Sequence, residues 1–165
     1  MKSQLEHIKS IILELGKIIE APDKLLPTFG NSRESHPNID IHYNGHLIYE
    51  IFERGIAIKT DYAFDLDHLL YLVFKDVTHY MALEFASKNL QLGTDIRRIQ
   101  FRKQLELLGK LNIDWEQKEK ANQVNAEKQF PFNDNLGKKD AYIRELLSTG
   151  FLLSEATVKA NMKFK

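Results

Sequence analysis

The sequence predicts an α+β fold, with an N-terminal helix, a three-stranded antiparallel meander, and a helical C-terminal half packed on one face of the sheet. Apolar residues recur at helical spacing from Leu5 to Ile19, β-branched and aromatic residues crowd from Ile39 to Tyr62, and helical periodicity returns from Leu66 onwards. A helix, then strands, then only helices argues against parallel βαβ crossovers.

The first helix carries Leu5, Ile8, Ile11, Ile12, Leu15 and Ile19 on one side. Ser3 and Glu6 have the form of a capping box at its start, and Pro22 marks its end. Pro27, Gly30, Asn31, Ser32 and Pro37 then predict an irregular, exposed connector. Asn44-Gly45 reads as a two-residue hairpin turn. For the second turn a three-residue loop, Glu53-Arg54-Gly55 with Gly55 left-handed, places Ile39, Ile41, Ile48, Phe52, Ile56 and Ile58 on one apolar face.

Asp65 is placed to cap a long central helix bearing Leu66, Leu69, Leu70, Val73, Phe74, Val77, Tyr80, Met81 and Phe85. Asp95 caps the next, which carries Ile96, Ile99, Leu105, Leu108 and Leu111. Asp114 with Gln117 reads as a capping box for a more polar helix from Trp115 to about Lys128. After the loop Phe130–Gly137, a helix from Lys139 to Thr149 stops at Gly150, and a short one follows from Ser154.

The 165 residues are read as a single domain, 1–165, with 43% hydrophobic residues to supply its core. Equal numbers of basic and acidic residues, 23 of each, leave no overall field to attract nucleic acid or anionic lipid. Without cysteine the chain has no disulfide, thiolate metal site or cysteine nucleophile. Charges at Glu6, His7, Lys9, Glu14 and Lys17 break up the N-terminal apolar pattern, so neither a signal peptide nor a membrane span is read there, and the expected location is cytoplasmic.

No serine lies in a GxSxG elbow, and no glycine-rich phosphate loop occurs. No catalytic residue, cofactor or metal ligand is therefore assigned. His36, His42 and His46 cluster in sequence, but the two-residue turn sends His42 and His46 to opposite sides of the sheet, which weakens a metal reading. Glu50 is expected on the apolar face, where a carboxylate needs a partner. Arg97 and Arg98 sit in a first helical turn, where the macrodipole disfavours them; Asp95, Glu53 and Asp134 are the candidate counter-charges, and a ligand phosphate is the alternative. The sheet surface opposite the apolar face is expected to carry Asp40, His42, Leu47, Tyr49, Ile51, Lys59 and Asp61, a mixture suited to a protein interface unless a helix covers it.

Four separated segments form one pattern: Pro27-Thr28-Phe29-Gly30, Glu53-Arg54-Gly55, Asp95-Ile96-Arg97-Arg98 with Phe101, and Pro131-Phe132-Asn133-Asp134. In this the chain resembles the immunity protein 63 family of bacterial polymorphic toxin systems, over roughly Pro27 to Asp134. The resemblance implies an inhibitor that protects its producer by binding a cognate toxin domain. Gly30, Glu53, Arg54, Gly55, Asp95, Arg97, Arg98 and Asp134 are read as folding devices, and Asp40, His42, Tyr49, Ile51, Lys59 and Asp61 as candidate toxin contacts. Two other readings compete. The C-terminal helices around Gly150, with their lysines, could form a DNA-binding hairpin, and Glu50 with Arg97 and Arg98 could act on a phosphorylated small molecule.

Overall fold

The computed structural model describes residues 2–30, 36–91 and 93–164. Among them the chain forms α1 (Lys2–Ile18), a 3-10 turn (Asp23–Leu25), β1 (Thr28–Phe29), β2 (Pro37–Ile41), β3 (Leu47–Glu53) and β4 (Ile56–Ala63). There follow α2 (Leu66–Lys88), α3 (Ile96–Leu111), α4 (Ile113–Gln129), α5 (Asn135–Ser148) and α6 (Leu153–Lys163).

The α+β class is as predicted, but the sheet is larger than a three-stranded meander. Its order is β1-β2-β3-β4, with β1 parallel to β2 and the other pairs antiparallel. The segment read as an irregular connector thus supplies a strand, while its residues 31–35 lie outside the described residues. Gly30, at φ +82°, turns the chain off β1; its N–H donates to the Ile39 carbonyl at 2.8 Å and its carbonyl accepts from Asn38 Nδ2 at 2.7 Å.

Ser3 lies inside α1 rather than at its cap. The helix closes in a Schellman motif: Ala21 N–H donates to the Gly16 carbonyl at 2.9 Å and Glu20 N–H to Lys17 at 3.2 Å. Glu20 takes the left-handed position at φ 55°.

Both hairpin turns differ from the sequence reading, and in opposite senses. At the first, His42 N–H donates to the His46 carbonyl, leaving a three-residue loop, Tyr43-Asn44-Gly45, with Gly45 at φ +87°. At the second, Glu53 pairs with Ile56 across a two-residue turn in which Arg54 (φ 51°) and Gly55 (φ 77°) are both left-handed. A one-residue slip moves every side chain of a strand to the other face. The inward face is therefore Ile39, Ile41, Leu47, Tyr49, Lys59, Asp61 and Ala63, not the predicted set with Ile48, Phe52, Ile56 and Ile58. Ile56 and Ile58 are exposed, and Ile58 is the extra residue of a β-bulge between the Ile51–Lys59 and Phe52–Ala57 pairs.

The inward face joins α1 and α2 in one core: Ile8, Ile12 and Ile19 meet Ile39, Tyr49, Leu69, Val73 and Phe74. Asp65 caps α2 as predicted, accepting from His68 N–H at 2.8 Å. On its far side α2 packs against α3 and α4, where Phe74 stacks on Trp115 and Trp115 Nε1 donates to Asp67 at 3.0 Å. Asn112, not Asp114, caps α4.

The polar appearance of α4 conceals a buried amide and carboxylate stripe. Gln123 donates to Gln104, Gln104 donates to the Lys75 carbonyl, and Glu119 accepts from both Tyr71 Oη and Asn122. Among the described residues every buried side-chain polar atom has a partner.

Asn133 Oδ1 accepts from Asn135 N–H at 3.0 Å, which starts α5 earlier than the predicted Lys139. Helices α5 and α6 pack chiefly on each other, and their buried residues Leu146, Ala156 and Ala160 stand apart from the main core.

Candidate functional site

Among the described residues the helices cover the sheet on one side only. The outward residues of β2, β3 and β4 are Asn38, Asp40, Ile48, Glu50, Phe52, Thr60 and Tyr62, which share one face by strand alternation and register. Of these, Asn38, Asp40, Ile48, Glu50 and Phe52 line, with Ala57, a shallow depression of about 540 Å³. Among the described residues the helix that packs on β3 and β4 is α2, and it does so from the opposite side.

The chemistry of this face is acidic and aromatic. Tyr62 is 57% exposed, Glu50 accepts a hydrogen bond from Thr60 Oγ1 at 3.3 Å, and Asp40 accepts one from the Ile41 amide at 2.8 Å. Neither carboxylate has a salt-bridge partner among the described residues. At the rim, the ring of Tyr43 is 89% exposed and lies 4.0 Å, centroid to centroid, from His42.

Strands β2 to β4 contain a single cationic residue, Lys59, and it points inwards. There its ammonium lies 3.1 Å from both Asp61 and Asp76 and 5.4 Å from the centre of the Tyr49 ring. Burial works against its charge, but the two aspartates outweigh this and hold its pKa above the ordinary lysine value. Burial, reinforced by Asp76, pushes the Tyr49 phenol up. The node fixes the sheet to α2 at a place where the apolar core gives out.

The contact surface read from the sequence is accordingly not one surface. Tyr49 is 1% exposed, and Leu47 is buried beside it. Ile51, Lys59 and Asp61 belong to the same helix-covered side, because the turn lengths set the register the other way. Asp40 alone of those strand residues lies on the open face, with His42 at its rim. Glu50, placed by the sequence reading on the apolar face, is on the open one. His42 and His46 face each other across the first turn rather than pointing to opposite sides, and Nδ1 of His42 lies 3.0 Å from Asn44 Oδ1. Among the described residues no group of three or more His, Asp or Glu side chains could hold a metal.

Asp95, Arg97, Arg98 and Asp134 come together with Phe132, and Glu53 takes no part. Asp95 is 5% exposed; it caps α3 by accepting from Arg97 N–H and binds the Arg97 guanidinium, with Nη2 at 2.6 Å. Its second oxygen also accepts from Asn133 N–H at 2.9 Å. The hydrogen bond from Arg97, opposed by burial and assisted by Asn133, lowers its pKa to about 2. Arg98 grips Asp134 through Nε and Nη2 at 3.0 and 3.1 Å, and both guanidinium groups lie over the Phe132 ring. All these contacts stay within the chain, joining the start of α3 to the loop before α5.

At the C-terminal end, α5 and α6 are joined through Gly150 at φ +94°, and Phe151, Leu152 and Leu153 are solvent-exposed there. No helix is long and apolar enough to cross a membrane among the described residues.

Asn38, Ile48, Phe52, Thr60 and Tyr62 are the residues of the open face that sequence reasoning missed. One signal could have found them: Lys59 and Asp61 alternate on β4 and invite a charged partner from the covering helix, which Asp76 supplies.

The family described as Immunity protein 63 matches residues 44–125. The expected resemblance thus holds, over a shorter stretch than Pro27 to Asp134. Glu53-Arg54-Gly55 and Asp95 to Arg98 fall inside the match, whereas Pro27 to Gly30 and Pro131 to Asp134 fall outside. Neither the curated proteins nor the solved structures compared with the chain gave a match.

Proposed function

We propose, from the match to the immunity protein 63 family over residues 44–125, that this chain is a bacterial immunity protein that binds a cognate toxin domain and neutralises it by occupancy. That match is the observation that carries the reading. The matched stretch includes β3, β4, α2 and α3, and so most of the open sheet face and its supporting layer. On this reading the inhibitor is consumed in proportion to the toxin, works in the cytoplasm of the producing cell, and needs no cofactor. The ionic cluster of Asp95, Arg97, Arg98 and Asp134, with the turns at Gly30 and Arg54-Gly55, serves as scaffold.

The test is co-expression with the toxin domain encoded beside its gene. Growth is rescued when the two are produced in equal amounts and fails when toxin is in excess. Cell death despite abundant, folded protein sinks the proposal. Protection at a small fraction of the toxin concentration replaces occupancy with catalysis.

A further inference from the structure

Resting on the toxin-binding reading, we infer that the open face of the sheet is the docking surface and that its occupant is a cationic surface of the toxin domain, rich in lysine or arginine. Three observations converge on this. Among the described residues no helix covers the face, although it presents Phe52 and Tyr62 beside the buried Ile48. Its charged side chains are the carboxylates Asp40 and Glu50, neither held in a salt bridge among the described residues. The single strand cation, Lys59, is locked on the other side by Asp61 and Asp76, so among the described residues the outward strand positions carry acid without base.

The local charge thus contrasts with the whole chain, whose 23 basic and 23 acidic residues balance. A face of this sign repels nucleic acid and attracts basic protein surface. Tyrosine and phenylalanine supply area for desolvated contact, while carboxylates at 3–4 Å from lysine or arginine set orientation and speed encounter, to an extent of roughly tenfold or more in rate.

The probe is the toxin domain encoded beside this gene, made as an inactive variant, with binding followed by calorimetry. The double reversal Asp40→Lys with Glu50→Lys is expected to raise Kd at least about 30-fold, and Tyr62→Ala about tenfold. Asp40→Asn with Glu50→Gln keeps the hydrogen-bonding capacity and guards against misfolding of the reversal; it is expected to raise Kd about tenfold and flatten the salt dependence. Glu14→Lys, on the exposed side of α1, is expected to leave Kd unchanged.

Wild-type affinity in both double variants, with toxin still bound and neutralised, overturns the surface and leaves the function standing. Absence of binding by the wild-type chain overturns both. Loss of self-association on Tyr62→Ala, seen by sedimentation, would assign the face to a second copy and refute the toxin as occupant.

Discussion

Replacing Asp95 by alanine removes several contacts from one place. The carboxylate caps α3, receives the Arg97 guanidinium and satisfies the Asn133 amide, while the residue is 5% exposed. Loss of an N-cap acceptor costs about 1 kcal/mol. A carboxyl carried from 3.8 to about 2 contributes roughly 2 kcal/mol in full. Because the Arg97 side chain is 30% exposed, screening reduces that to about 1 kcal/mol. The stranded Asn133 amide adds about 1 kcal/mol. Asp95→Ala should therefore lose about 3 kcal/mol, or roughly 6–12 °C of Tm in a chain of this size.

The charged part of this sum can be isolated with Asp95→Asn, which keeps an oxygen for the cap. A depressed folded pKa gives stability that is present in full above 3.8 and disappears as pH falls from there towards 2. The gap between wild type and the asparagine variant should close over that window. Urea unfolding at a series of pH values reads both quantities. An alanine variant within about 0.5 kcal/mol of wild type, or an asparagine gap unchanged at the lowest pH, refutes the account of the cluster.

Tyr49→Ala opens a cavity in the main core and unseats Lys59 and Asp76, so a loss of about 3–5 kcal/mol is expected by chemical denaturation; a fully stable variant would contradict its burial. Tyr71→Phe deprives the buried Glu119 carboxylate of its 2.9 Å donor and should cost about 1–2 kcal/mol, leaving Asn122 as its remaining donor. Arg54→Asn puts at φ 51° a residue that tolerates the left-handed conformation better than arginine and should gain about 0.5 kcal/mol, whereas Gly55→Ala, at φ 77°, should lose about 1 kcal/mol; the opposite signs would show that the turn is not the two-residue type.

The helices were legible because their signals are long-range averages. Asp65 and Asp95 cap where expected, and the apolar stripe of α2 runs unbroken from Leu69 to Val77. The sheet was less so, because β3 reads Leu-Ile-Tyr-Glu-Ile-Phe-Glu and offers apolar residues to both sides. With no alternation to decide the face, the choice fell on the turns, and each was mistaken by one residue. Asn44-Gly45 favours a two-residue turn, but Tyr43 joins it in the loop; arginine disfavours a left-handed position, yet Arg54 occupies one. Two local errors thus turned the expected contact surface towards the core. The two-residue β1 has too little sequence to announce itself, and it exists through Gly30 and the Asn38 side chain. The ionic cluster was legible as a set of charges, but its partner choice, Asp95 with Arg97 and Asp134 with Arg98, required the fold.

β4 is the last strand of the sheet, eight residues long, with Ile56 and Ile58 bare to solvent. Such an edge invites a second chain to continue the ladder, which is how strands seed fibrils. Here the bulge at Ile58, the third residue of the strand, bends the edge near its start, and Lys59 and Asp61 are turned under the sheet into a charged lock that an extended ladder could not share. The strand is thereby a stop to polymerisation. On the toxin-binding reading proposed above, such an edge favours pairing with the partner over pairing with a second copy.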